Sequence, residues 1–253
     1  MRKLLSLLGV CLLSLPIYST ERPLPGDGQK EVLDKCQNWA NEAKDRGTHQ
    51  LVVAFEGLAA FKKKAAKKLY SYHDALLAGK NPKTPSGTSM AYVTDNLLIK
   101  NLRKHYEKTN ILVLPHTKEG KPGSISFSCV SEWKKVFGQE LDLILVGHSF
   151  GGPAAKRLMN SLNKQFPKLK ISGMLSMDPR LKNKFVTAPN VGKHFVYYQK
   201  GFLRGYPYSD PRGEGFTFNF HIKGKDISGS EGNNHANLTF YKGVQDTYLN
   251  LIH

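Results

Sequence analysis

Acidic residues are scarce in this chain: 20 Asp and Glu stand against 37 Lys and Arg over 253 residues, a formal net charge of +17. Such an excess attracts polyanions without naming one. No nucleic-acid-binding motif accompanies it, so contact with DNA or RNA would be incidental. Cysteine is scarcer still, at three residues. Neither Cys36 nor Cys129 has a second cysteine nearby, which excludes the ligand spacing of a zinc site. Long apolar runs are missing beyond Leu4 to Ile17, and that run is short for a membrane span. The chain has no internal repeat and no low-complexity linker, which excludes a repeat array.

What is present begins with Met1-Arg2-Lys3 and the apolar run behind it, the n-region and h-region of a secretory signal closed by Ser19 and Thr20. Residues 1–20 are expected to be a signal peptide and 21–253 a single domain, secreted or periplasmic. An uncleaved anchor is the alternative; a lipoprotein through Cys11 is disfavoured by Val10 before it. Cys36 and Cys129 would then lie in an oxidising compartment, either paired or as two separate buried thiols. The densest basic cluster, Phe61 to Tyr70, falls in a predicted helix. It reads either as a solvated face or as a peripheral contact for an anionic membrane surface.

Helix formers from Glu31 to Ala43 precede Gln50 to Phe55, a nearly continuous apolar run that suits a strand buried on both faces of a parallel sheet. Helical stretches near 91–108, 129–137 and 153–164 alternate with strand-like runs at 110–115, 141–146 and 169–177. His194 to Tyr198 and Phe216 to Ile222 read as later strands, and Ala236 to Leu251 as a closing helix. This alternation predicts an α/β fold with a mostly parallel central sheet and helices on both faces. Gly79 to Ser89 and Lys182 to Gly215 read as long irregular segments, the second interrupted by the His194 strand, and are candidate lids or substrate rims.

The decisive stretch runs from Leu143 to Leu158 and contains Gly147-His148-Ser149-Phe150-Gly151-Gly152. A bare G-x-S-x-G is weak in a chain with 23 glycines. Its context is specific, because an apolar strand enters the motif and a helix leaves it. A nucleophile on such a turn needs small residues two places before and after it, so that strand and helix can approach closely. Gly147 and Gly151 occupy those places, and the backbone N–H of Phe150, at the helix N-terminus, can meet a developing oxyanion.

On these residues the chain resembles the α/β-hydrolase superfamily, particularly its lipases and esterases, in which Gly-His-Ser-x-Gly-Gly is a common form of the elbow. The resemblance extends from about Leu51 to the C-terminus and is looser away from the motif. It implies Ser149 as nucleophile and a triad in the chain order serine, acid, histidine. The acids downstream are Asp178, Asp210, Asp226 and Glu231. Asp178 ends the first strand after the nucleophile helix and precedes Pro179, an arrangement similar to pancreatic-type lipases; Asp210 and Asp226 remain alternatives. Among His194, His221, His235 and His253, His235 occupies the polar loop before the final helix, where the superfamily carries its base. The resemblance implies a second oxyanion donor at the N–H of Leu58, after Glu56-Gly57, although Glu56 stands where related loops carry a basic residue.

The expected chemistry is hydrolysis of a carboxylic ester, possibly a lipid ester, through an acyl-enzyme, without metal or organic cofactor. Thioester, amide or peptide cleavage on the same scaffold is the first alternative. The second is a catalytically degenerate hydrolase that binds anionic envelope components.

Overall fold

The central strands of the sheet form from apolar runs. The computed structural model describes residues 28–57, 110–116, 118–180, 185–199, 207–209, 216–223, 235 and 238–252. Its strands are β1 (Gln50–Glu56), β2 (Asn110–Pro115), β3 (Asp142–His148), β4 (Ile171–Met177), β5 (Phe185–Val186), β6 (Val191–Tyr198), β7 (Tyr208–Ser209) and β8 (Thr217–His221). Six of them form one sheet in the order β2-β1-β3-β4-β6-β8. Every neighbouring pair in it is parallel.

Side-chain alternation sends the residues of the central strands to two separate cores. Leu51, Val53 and Phe55 of β1, with Leu143 and Leu145 of β3, face helices α1 (Gly28–Asp45), α2 (Ile125–Phe137) and α3 (Gly151–Gln165). Val52, Ala54, Ile144 and Val146 face the opposite way, onto Val244 and Tyr248 of α4 (Lys242–Leu251). With no solvent-facing side, β1 is buried along its whole length, which explains its uninterrupted apolar sequence. The architecture is α/β, a parallel sheet with helices on both faces, as the alternating pattern predicts.

The helices dock through periodic small and apolar residues. α1 buries Cys36, Ala40 and Ala43 on one stripe, and α2 buries Cys129, Val130, Trp133 and Phe137. The two cysteines resolve as a disulfide, with Cα atoms 5.3 Å apart, that joins α1 to α2 across 93 residues of sequence. Trp133 packs edge-on against Trp39 beside it, ring centroids 4.8 Å apart.

Two elements depart from the sequence reading. The closing helix, expected from about Ala236, begins as α4 at Lys242, after a 3-10 turn at Leu238–Phe240 and an extended Tyr241. The stretch from 182 to 215 also carries more structure than expected. β5 and β7 pair in parallel within it, and β6 is eight residues long. β5 and β7 have two residues each, too few to show a period. Residues 1–20, the basic cluster at 61–70, the segment 79–89 and the helix expected at 91–108 lie outside the described residues.

Candidate active site

β3 ends at His148 and α3 starts at Gly151, leaving Ser149 and Phe150 to turn the chain. The turn forces Ser149 to φ 54°, in the left-handed region that a residue with a Cβ disfavours. The glycines on either side make it possible. A Cβ on Gly147 would lie 2.7 Å from the Gly151 carbonyl oxygen, and one on Gly151 would lie 2.0 Å from that of Phe55. Backbone bonds hold the turn: Ser149 N–H donates to the Met177 carbonyl (2.9 Å), and the Ser149 carbonyl accepts from Gly152 (3.1 Å) and Arg180 (2.9 Å). The Ser149 hydroxyl is buried and makes no hydrogen bond. A hydroxyl so placed lacks the partner that would hold it in a merely structural role.

Asp178 follows the last residue of β4, the strand paired with β3, so its side chain emerges at the same end of the sheet as Ser149. It too has a positive φ, 45°. Its carboxylate is fully buried. One oxygen accepts the Gln199 backbone N–H at 2.9 Å, and the other lies 2.5 Å from His235 Nδ1. A carboxylate only accepts, so Nδ1 of His235 carries the hydrogen and Nε2 is left as the basic nitrogen. Of the candidate acids and histidines, the structure therefore brings Asp178 and His235 together. Asp210, Asp226 and Glu231 lie outside the described residues, as does Leu58.

The remaining histidines divide by their contacts. His194 is fully buried between two hydroxyls, its Nε2 2.9 Å from Ser176 Oγ and its Nδ1 2.9 Å from Thr187 Oγ1, and burial pushes its pKa down to about 3. His221 lies on β8, at the sheet edge, with its ring 5.4 Å from that of Tyr198.

Three further residues surround Ser149 and His235. His148 Nε2 lies 3.0 Å from the His235 backbone carbonyl, and the two rings sit 4.9 Å apart. Burial first, and then the neighbouring His235, lower the His148 pKa to about 4, so the ring is neutral and donates from Nε2. His148 thus steadies the segment bearing His235. Gly57 lies against Ser149, where a Cβ would fall 3.0 Å from Ser149 Cβ and 3.5 Å from its Oγ. His116 grips this loop, with Nδ1 2.6 Å from the Gly57 carbonyl oxygen and 3.2 Å from that of Glu56. Burial lowers the His116 pKa. Glu56 has its side chain fully buried beside this loop. Proximity in sequence signals His148 and Gly57; His116 carries no such signal, because it meets the loop through the pairing of β1 with β2.

The arrangement brings a strained serine, a histidine with its Nδ1 tied to a buried carboxylate, and the Phe150 N–H at a helix start to one end of the sheet. Such a set can carry out nucleophilic acyl transfer. Among the described residues no cluster of three or more His, Cys, Asp or Glu could hold a metal ion. Neither a protein-family model nor a curated protein sequence matches the chain.

Proposed function

We propose that this protein is a serine hydrolase of the α/β-hydrolase type, which cleaves carboxylic esters through an acyl-enzyme on Ser149. The observation that carries the reading is Ser149 itself, held at φ 54° between β3 and α3 with an unbonded hydroxyl, at the end of the sheet that also carries the His235–Asp178 pair. His235 Nε2 takes the hydroxyl proton as Ser149 Oγ bonds to the ester carbonyl carbon. The resulting oxyanion accepts from the Phe150 N–H and from a second donor that we assign to Leu58. Collapse breaks the bond to the leaving oxygen, which takes the proton from His235; water then attacks with the same base and releases the acid. Asp178 keeps the imidazole in the tautomer this sequence of proton transfers needs. Ser149 Oγ donates to His235 Nε2 as substrate settles, since catalytic bonds tighten in the bound complex.

Export through residues 1–20 belongs to the same proposal. The Cys36–Cys129 disulfide supports it, because such bonds persist in oxidising compartments. The basic surface is proposed to hold the enzyme at an anionic membrane carrying its lipid ester.

A fluorophosphonate probe tests the reading. We expect covalent labelling of the wild-type chain, none of Ser149→Ala, and labelling slowed by about 10³-fold or more in His235→Ala and Asp178→Asn, with Asp210→Asn and Asp226→Asn reacting normally. Absence of wild-type labelling would sink the enzyme. Normal labelling of Asp178→Asn with loss in Asp226→Asn would move the acid. A panel of nitrophenyl esters, thioesters and peptides then separates ester cleavage from its alternatives.

A further inference from the structure

After Asp178 the chain turns over the first turn of α3. Pro179 lies so close to Gly152 that a Cβ there would fall 2.5 Å from Pro179 Cβ, and the Arg180 N–H donates to the Ser149 carbonyl. The Arg180 side chain is thereby directed back across the elbow. Its guanidinium carbon lies 4.6 Å from the centre of the Phe150 ring, one residue beyond the nucleophile. The His116 ring stacks on the same Phe150 at 5.3 Å.

Among the described residues this cation has no counter-ion. The nearest acid in sequence, Asp178, has its oxygens engaged by Gln199 and His235. The buried Glu119 accepts the backbone N–H of Ser126. A guanidinium laid on an aromatic face loses part of its hydration on that side and keeps its in-plane N–H donors for a planar or tetrahedral oxyanion. The N-terminal end of α3 adds positive potential at the same point.

We propose that Arg180 is a specificity determinant, and that the site prefers substrates bearing an anionic oxygen group, a carboxylate or a phosphate ester, that pairs with its guanidinium while the ester carbonyl lies at Ser149. This rests on the reading of Ser149 as nucleophile. It narrows the substrate from esters in general to anionic esters. The guanidinium's place beside Phe150 sets the distance between anionic group and scissile bond, so esters with the charge far along the chain gain nothing.

Isothermal titration of the full chain with octanoate, octyl phosphate and uncharged octyl glucoside, all below micellar concentration, tests this without requiring turnover. We expect the anions to bind about tenfold tighter than the glucoside, the strength of one charge-assisted contact. Arg180→Gln should lower that anion-to-neutral ratio about tenfold and Arg180→Lys should restore part of it. The strongly basic surface attracts anions everywhere, so the ratio in Arg180→Gln is the deciding number. Preference for octyl phosphate assigns a lipid-type phosphate, preference for octanoate a carboxylate, and equal binding the shared oxyanion chemistry. An unchanged ratio in Arg180→Gln, or glucoside bound as tightly as both anions, would overturn the proposal. Should Arg180→Gln fail to fold, the wild-type ratio must fall as salt rises from about 0.02 to 0.3 M, and a salt-independent ratio overturns it equally. Fluorophosphonate labelling of the same sample reports separately on Ser149, so a failed anion preference and a failed nucleophile give different results.

Discussion

Ser149 holds a backbone conformation that a side chain resists, and its neighbours keep it there. Replacing it separates strain from chemistry. Ser149→Gly should be about 1 kcal/mol more stable than Ser149→Ala, because glycine accepts a positive φ without steric cost, while both lose probe labelling. Denaturant midpoints of the two variants check this. Gly151 has the opposite role. Gly151→Ala drives a methyl to 2.0 Å from the Phe55 carbonyl oxygen, so β1 or α3 must shift. We expect a loss of about 3 kcal/mol or failure to fold, read by chemical denaturation. Gly147 and Gly151 are readable in the sequence as spacing around Ser149. The positive φ of Asp178 is not, since it arises where β4 hands the chain across α3, with the Asp178 N–H bonded to the Tyr197 carbonyl and Pro179 packed on Gly152.

Among elements, legibility follows burial. β1 and β3 are enclosed by cores on both faces, so their sequences are nearly continuous apolar runs that announce them, whereas β4 is broken by Ser172 and Ser176. β8 is an edge strand with Phe218 and Phe220 half-exposed; its aromatics stack on Phe195 and Tyr197 of β6. The β5–β7 pair is set by contacts made at a distance, Asn219 holding both the N–H and the carbonyl of Tyr208, and no local pattern encodes it. The late start of α4 has the same kind of cause, a turn at Leu238–Phe240 bonded to Tyr241. The two cysteines were legible as a pair or as separate thiols, and only the packing of α1 on α2 decides between them. Closing a loop of this length is worth about 4–5 kcal/mol in the chain-entropy account. A Cys36→Ala/Cys129→Ala variant, or the reduced protein, should lose stability of that order in urea. Equal midpoints with and without reductant would contradict it.

Over the whole molecule, the buried histidines make stability depend on acid. His148 and His194 have pKa values lowered to about 4 and about 3. The unfolded chain therefore binds protons first as pH falls below about 6.5, which favours unfolding. Stability is full above that pH and declines down through the lowered values. Each histidine costs about 2 kcal/mol at pH 5 by this linkage. Thermal melts between pH 7 and 4.5 should show falling midpoints, and His194→Gln should flatten the decline, although its stability at pH 7 is lower. The sheet order has a kinetic side as well. β1 pairs with β3 across some ninety residues, Leu51 beside Leu143, and the elbow closes only when Gly151 reaches Phe55. Contacts that distant are late events in folding. In refolding from denaturant with the disulfide intact, helical circular dichroism should therefore recover before Ser149 accepts a probe. With the disulfide reduced the delay should lengthen, because the Cys36–Cys129 link shortens the search that brings β1 to β3. The proposed nucleophile would thus be among the last features of the molecule to mature, and a newly made chain would remain chemically silent until its sheet is complete.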